Sequence, residues 1–96
     1  MIIGKVAGNV YSSNKTKYLE GTKLLIVKQI SPKTLNETGE YFVCVDDVGA
    51  GEGEIVFCAS GSGARQTKTS KEHSSDYTIC GIIDNIDIEN IKTYEK

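Results

Sequence analysis

The chain has 96 residues, of which 39% are hydrophobic and 25% are charged, as is ordinary for a soluble globular domain. Its formal net charge of −2 at pH 7 supplies no positive field, so neither nucleic acid nor an anionic membrane is expected as a partner. A single domain over residues 1–96 buries a modest share of its surface, so it is expected to be marginally stable alone and to gain from association.

The first half of the chain predicts three strands. Alternating, β-branched side chains predict a strand over Ile2–Tyr11 and a second, mostly aliphatic strand over Thr22–Ile30. Between them, Thr16–Glu20 allows a single helical turn that ends at Gly21. The clean alternation of Glu40–Asp46 predicts the third strand.

The second half predicts two more strands. Glu54–Ser60 is the fourth and Tyr77–Ile88 the fifth, with one short helix at Ser62–Thr67 and a polar tail over residues 89–96. Five strands separated by turn residues, without a long amphipathic helix, predict an all-β fold. The expected architecture is a five-stranded OB-like β-barrel with one or two short helical turns.

A glycine-rich acidic loop between the third and fourth strands is the most distinctive stretch. It runs through Asp46, Asp47, Val48, Gly49, Ala50, Gly51, Glu52, Gly53 and Glu54. Glycines at alternate positions permit positive φ and close approach of another backbone, so the loop is expected to act through its shape. A second stretch of small residues consists of Gly61, Ser62, Gly63 and Ala64 and ends in Arg65, the only arginine.

Phosphate and metal sites are poorly supported. The glycine-rich loop leads into a strand and not into a helix N-terminus, and Glu52 and Glu54 would repel phosphate. The three cysteines, Cys44, Cys58 and Cys80, are widely spaced within apolar runs and lack a short Cys-x-x-Cys pair. We expect reduced, buried thiols in a cytosolic protein, with no metal and no cofactor.

Catalytic and membrane roles are also poorly supported. Ser60, Ser62 and His73 lack the strand–turn–helix context of a nucleophile elbow. The longest aliphatic run, Leu24–Val27, is far too short to span a bilayer, and the N-terminus does not have the pattern of a signal peptide. We therefore expect neither an enzyme nor a membrane protein.

Four stretches, in this order, resemble one known family. They are Lys17-x-Leu19-x-Gly21-x-Lys23-Leu24-Leu25-x-Val27, Val45-Asp46-x-Val48-Gly49-Ala50-Gly51-x-Gly53-Glu54-x-Val56, Gly61-Ser62-x-Ala64-Arg65 and Gly81-Ile82-Ile83-Asp84. The chain is similar through them to the EutN/CcmL family, the vertex proteins of bacterial microcompartment shells. Gly63, Cys44 and Ser75 depart from the family's usual residues.

The resemblance implies a non-catalytic, cytoplasmic homopentamer that caps the fivefold corners of a polyhedral shell and contacts hexameric shell proteins. The glycine-rich loop and the second stretch, from Gly61 to Arg65, would then both lie at the subunit interface, because ring closure requires close and reproducible backbone approach. Arg65 could hold the carboxylate of Asp46 or Asp47, on its own subunit or the next. Two alternatives remain at this point: an OB-fold nucleic-acid-binding module and a small ligand-binding barrel.

Overall fold

The structure, a computed structural model, describes residues 1–11, 23–60 and 77–96. Seven strands run through them: β1 (Ile2–Asn9), β2 (Lys23–Ile30), β3 (Glu37–Asp46), β4 (Ile55–Ser60), β5 (Tyr77–Ile82), β6 (Asn85–Ile88) and β7 (Ile91–Glu95). The helical turns predicted at Thr16–Glu20 and Ser62–Thr67 lie outside the described residues. Within the described part of the chain, no helix is long and apolar enough to cross a membrane.

The first five strands close into a barrel in the order β1-β2-β3-β5-β4, with β4 returning to β1. Neighbouring strands are antiparallel except β3 and β5, which pair in parallel. Closure gives every barrel strand a partner on both sides, and the shortest of these pairings joins β3 to β5 at Val45–Thr78 and Asp46–Ile79. The predicted five-stranded barrel is confirmed.

The barrel interior is filled by inward-facing side chains from all five barrel strands and from the loop between β3 and β4. The buried core consists of Val6, Leu25, Val27, Cys44, Ala50, Val56, Cys58 and Ile79. The rings of Phe42 and Tyr77 pack at its margin with their centroids 4.7 Å apart. The strand residues of this set follow the alternation of side chains between two faces, whereas Ala50 comes from the loop between β3 and β4.

All three cysteines are free thiols, but their burial differs. Cys44 and Cys58 are fully buried, as expected, whereas Cys80 is only half-buried. A hydrogen bond with Cys44, together with burial, raises the pKa of the Cys58 thiol. Cys58 is therefore a neutral core side chain at physiological pH.

β3 is longer than predicted because a tight turn extends its pairing with β2. The strand begins at Glu37 and not at Glu40. The Ser31 N–H donates to Asn36 O at 2.9 Å and the Leu35 N–H donates to Ser31 O at 2.8 Å. The turn brings Glu37 opposite Ile30, and this pairing overrides the polar character of the stretch.

The prediction of a single strand over Tyr77–Ile88 is wrong. After β5, the Ile83 N–H donates to Ile55 O at 2.9 Å, and the chain then leaves the barrel. Residues 85–95 form a separate hairpin of β6 and β7, so most of the predicted polar tail, 89–96, lies in strand β7 and its turn. Glu89 and Asn90 both have positive φ (52° and 67°), as a two-residue hairpin turn requires.

Candidate functional site

The glycine-rich loop, residues 46–54, joins β3 to β4 and has a sharply defined backbone. Gly49 and Gly53 have φ of 79° and 91°, in the left-handed region that side chains with a Cβ rarely adopt. Gly51 has no positive φ, so two of the three glycines are required by conformation. The sequence analysis expected the glycines to give the loop its shape, and the structure shows positive φ at two of the three.

The Asp46 carboxylate organises the first half of the loop from inside. Its side chain is only 1% exposed. Its Oδ1 accepts three backbone N–H groups, from Val48 at 3.2 Å, Gly49 at 3.1 Å and Ala50 at 3.1 Å. A carboxylate that accepts several N–H groups folds the backbone around itself, so Asp46 acts as the centre of the turn.

Lys23 completes this arrangement from the neighbouring strand. It stands opposite Asp46 in the β2–β3 register, and its Nζ lies 3.8 Å from Asp46 Oδ2. The same ammonium group donates to Ala50 O at 3.1 Å, while the Ala50 side chain is fully buried in the barrel core. Sequence reasoning missed this pairing, because it depends on strand register between residues far apart in the chain.

Glu54 fixes the second half of the loop. Its Oε1 accepts the Gly51 N–H at 2.6 Å, and its Oε2 lies 2.7 Å from Lys96 Nζ. The hydrogen bonds from Lys96 and from the Gly51 N–H lower the pKa of the Glu54 carboxyl, and the bond to Glu54 raises the pKa of Lys96. The loop is thereby connected to the end of the β6–β7 hairpin.

Backbone hydrogen bonds attach the loop to β1. The Gly53 N–H donates to Val6 O and the Val6 N–H donates to Glu54 O, both at 2.9 Å. With its inner groups held in this way, the loop presents Val48, Gly49, Glu52 and Gly53 to the exterior. Val48 is 39% exposed, so the outer surface of the loop includes one aliphatic side chain.

The arrangement provides shape and not reactive chemistry. The Asp46 and Glu54 carboxylates are both engaged in holding the loop. Among residues 1–11, 23–60 and 77–96, no group of three or more histidine, cysteine or acidic side chains could hold a metal ion. A rigid loop with small outward residues is suited to close contact with another surface.

The structure brings together only part of the predicted interface. Asp46, Asp47, Val48, Gly49, Ala50, Gly51, Gly53 and Glu54 lie in this loop, whereas Gly61, Ser62, Gly63, Ala64 and Arg65 lie outside the described residues. Asp46 is enclosed within its own subunit, so its direct role there is to set the shape of the loop. A pairing of Arg65 with Asp46 or Asp47 stays a prediction.

Comparison with known proteins gives a consistent result. The family model described as "Ethanolamine utilisation protein EutN/carboxysome" matches residues 1–84. The bacterial microcompartment shell vertex protein GrpN of Rhodospirillum rubrum (strain F11) is 46% identical over 91 residues, covering 94% of this chain and 100% of GrpN.

Two solved structures have the same fold. The structure of Gloeobacter violaceus CcmL superposes with a TM-score of 0.91 at 38% identity, covering 100% of this chain and 98% of CcmL. The GrpN pentameric microcompartment shell protein from Rhodospirillum rubrum superposes with a TM-score of 0.79 at 45% identity, covering 92% of this chain and 99% of GrpN. The similarity therefore extends through both sequence and fold.

Proposed function

Because the chain belongs to the EutN/CcmL family, as its sequence motifs indicated, we propose that it forms a cyclic pentamer that closes the corners of a bacterial microcompartment shell. The single observation that carries this function is its 45% identity to a pentameric shell protein over nearly the whole chain. The chain is a structural shell protein of the bacterial cytoplasm and not an enzyme. Nothing in the described loop favours nucleic-acid or small-ligand binding over this function.

The geometry of a shell explains why five copies are needed. A closed polyhedral shell tiled with flat hexamers requires pentagonal units at its corners, so a ring that closes at five has a task that no hexamer can perform. A cyclic ring uses a heterologous interface, in which one patch of a subunit meets a different patch of its neighbour. The angle between subunits must then be reproducible, which favours rigid contact surfaces such as the glycine-rich loop.

The finer proposal assigns the interface. The glycine-rich loop and residues 61–65 would face the neighbouring subunit, with Arg65 holding a carboxylate there. The internal contacts of Asp46 and Glu54 support this proposal, because they fix the loop before assembly and so reduce the ordering cost of contact. Contacts with hexameric shell proteins would lie around the rim and be modest and polar, since each component must stay soluble beforehand.

Native mass spectrometry tests the proposed function most directly. The expected species has a mass near five times 10.4 kDa. Deletion of the gene should leave elongated or open-cornered shells that still contain their enzymes. A monomer or dimer at every accessible concentration would contradict the assignment, as would regular closed shells in a deletion strain without a second vertex protein.

Substitution of Arg65 tests the interface. Arg65→Ala should weaken assembly more than subunit folding, by about 2–5 kcal/mol, because the partner carboxylate loses its cation. Arg65→Lys is the matched control and should restore assembly only in part, since lysine lacks the bidentate fork. Assembly of both variants at wild-type concentrations would remove Arg65 from the interface and leave the pentamer itself unaffected.

A further inference from the structure

A cleft of about 360 Å³ opens on the outside of the barrel, and we call it the β1 cleft. It runs along β1 and β2 between two walls, the turn that joins β2 to β3 and the end of the glycine-rich loop. Clefts that bind small molecules measure roughly 300–1,000 Å³. The β1 cleft lies at the small end of this range, so its size suits a single small metabolite and not a folded partner.

The first wall is held in a strained conformation by its own hydrogen bonds. Leu35 has a φ of 65°, which is uncommon for a residue with a side chain. The Leu35 N–H and the Ser31 N–H both bond within the turn, at 2.8 Å and 2.9 Å. The half-buried Leu35 side chain lines the cleft together with Ile30, which is 4% exposed. Strained positions that their surroundings maintain are concentrated at binding and active sites.

The second wall is fixed by the backbone of the glycine-rich loop. Gly53 has a φ of 91°, and its N–H donates to Val6 O at 2.9 Å. Between the walls, Ala7 is the extra residue of a bulge in β1 and contributes only a methyl group, which leaves the cleft open. Both walls are therefore in place before a ligand arrives, and this lowers the cost of ordering on binding.

Charged side chains of both signs line the β1 cleft. Lys5 and Lys28 are register partners on β1 and β2, so the two cations lie side by side. Lys28 Nζ lies 4.4 Å from the Tyr41 ring centroid, and this contact restrains it. Glu37 begins β3 at the first wall, and Glu52 belongs to the loop at the second. The cations therefore occupy the middle of the cleft, with one carboxylate at each end.

Within residues 1–11, 23–60 and 77–96, the four charged groups of the β1 cleft take part in no ion pair. A concave site with low-dielectric walls strengthens the field of such groups relative to a flat surface. A purely anionic ligand would be repelled by the two carboxylates, and a purely cationic ligand by the two ammonium groups. Charge complementarity therefore favours a ligand that carries both signs.

We propose that the β1 cleft binds a small zwitterion, an α-amino acid with an aliphatic side chain. Its carboxylate lies between the ammonium groups of Lys5 and Lys28, and its ammonium group faces Glu52. Its side chain packs on Ile30 and Leu35, which form the apolar end of the cleft. The inference goes beyond the proposed function and does not depend on the number of subunits in the ring, because every group that it uses belongs to one subunit.

Nuclear magnetic resonance titration of the native protein with free leucine tests the site. Saturable shifts are expected at the Gly53 amide and at the methyl groups of Ala7 and Leu35, with a dissociation constant of about 1 mM. Isocaproate is leucine without the ammonium group, and isoamylamine is leucine without the carboxylate. Each should bind at least about tenfold more weakly than leucine, because each satisfies only one sign of charge in the cleft.

Two neutralising variants measure the contribution of each charge. Glu52→Gln should weaken leucine binding by about tenfold without weakening isocaproate binding, since isocaproate has no ammonium group. Lys5→Gln should weaken the binding of both ligands, because both carry the carboxylate. Glu40→Gln and Lys33→Gln make the same changes at exposed positions outside the cleft, so they should leave both ligands at wild-type affinity.

Filling the cleft tests its location without a change of charge. Ala7→Leu adds an aliphatic side chain between the two walls, so it should abolish the leucine-induced shifts at Gly53 and Leu35. Circular dichroism would establish that the variant keeps its strands.

The possible outcomes separate this inference from the proposed function. Equal binding of leucine and its two single-charge analogues would overturn the zwitterion site, as would shifts confined to residues outside the cleft or the absence of saturable shifts. Each of these results would leave the pentamer standing, whereas a monomer in native mass spectrometry would overturn the pentamer and leave the titration result unchanged. Saturable shifts at Gly53, Ala7 and Leu35 that are lost in Ala7→Leu and weakened in Glu52→Gln would establish the site.

Discussion

The barrel and the β6–β7 hairpin are both built from strands with alternating apolar residues, yet only the barrel completes its own packing. Every barrel strand has two neighbours and the inward side chains are fully buried. The hairpin has two strands, a partly open apolar face and Ile91 at 66% exposure. The barrel is therefore expected to supply subunit stability, whereas the hairpin is expected to depend on contacts outside the subunit.

The largest contrast should come from truncating one apolar side chain in each region. Leu25→Ala removes a side chain that is 1% exposed, and the resulting cavity should cost about 2–5 kcal/mol of unfolding free energy. Ile91→Ala should change the unfolding free energy little at low protein concentration, where the subunit is alone, and lower it more at concentrations where the subunits are assembled. Urea unfolding at two subunit concentrations measures both, and equal losses for the two variants would erase the distinction between the regions.

Substitution of Asp46 tests whether the shape of the glycine-rich loop is set within the subunit or by the neighbouring subunit. Asp46→Ala should lower the unfolding free energy by about 1–3 kcal/mol, because three N–H groups lose their acceptor. Asp46→Asn keeps one carbonyl acceptor and should lose less. A loss that appears only on assembly, with unchanged unfolding of the free subunit, would contradict the role of Asp46 as the centre of the turn.

The glycine-rich loop contains glycines with positive φ and one without, so the cost of adding a Cβ can be compared between them. Gly53→Ala should cost roughly 1–2 kcal/mol, because Gly53 has a φ of 91° that alanine adopts only with strain. Gly51→Ala is the matched control, since its φ is not positive and an added Cβ would make an ordinary 3.5 Å contact with Glu54. Thermal unfolding of both variants should show a clear decrease only for Gly53→Ala.

The ion pair that joins the loop to the hairpin should have the smallest effect, visible chiefly as a pH dependence. The Glu54 pKa is lowered, so its contribution is full above the ordinary glutamate pKa of about 4.3 and is lost as the pH falls through the lowered value. The Lys96 pKa is raised, so its contribution is full below the ordinary lysine pKa of about 10.4 and is lost as the pH rises through the raised value.

The corresponding measurement compares Glu54→Gln with wild type across pH. Glutamine retains an acceptor for the Gly51 N–H but no charge for Lys96. The stability difference should be constant between about pH 5 and 10 and should disappear in acid. Glu95→Gln, which alters the exposed pair of Glu95 with Lys92 at 3.5 Å, is the control and should leave the profile unchanged.

The sequence predicted the barrel well, because strand alternation follows directly from which side chains are buried. The alternation located the strands that carry Val6, Val27 and Val56, and all three residues are buried in the barrel interior. The hairpin was harder to predict, since Glu89 and Asn90 form its turn without the glycine that usually marks one. The polar residues around Glu89 and Asn90 therefore led to the prediction of a polar tail over residues 89–96.

The candidate site was predictable in position but not in its internal contacts. The glycines indicated a shaped loop, while the burial of Asp46 and its approach to Lys23 follow from the β2–β3 register, which the sequence does not display. The link between Glu54 and Lys96 joins residues 42 positions apart and depends on the hairpin turning back toward the barrel. Contacts of this range arise from the assembled fold and not from local pattern.

Closure of the barrel also governs how the protein behaves at high concentration. A sheet with a free edge can recruit further strands, and such growth has no built-in stopping point. Each of the five barrel strands has a neighbour on both sides, so the barrel leaves less backbone available for that growth than an open sheet would. Contacts between barrels are then made chiefly through side chains and loops, whose shapes fix an angle, and a fixed angle is what separates a ring of defined number from a fibre.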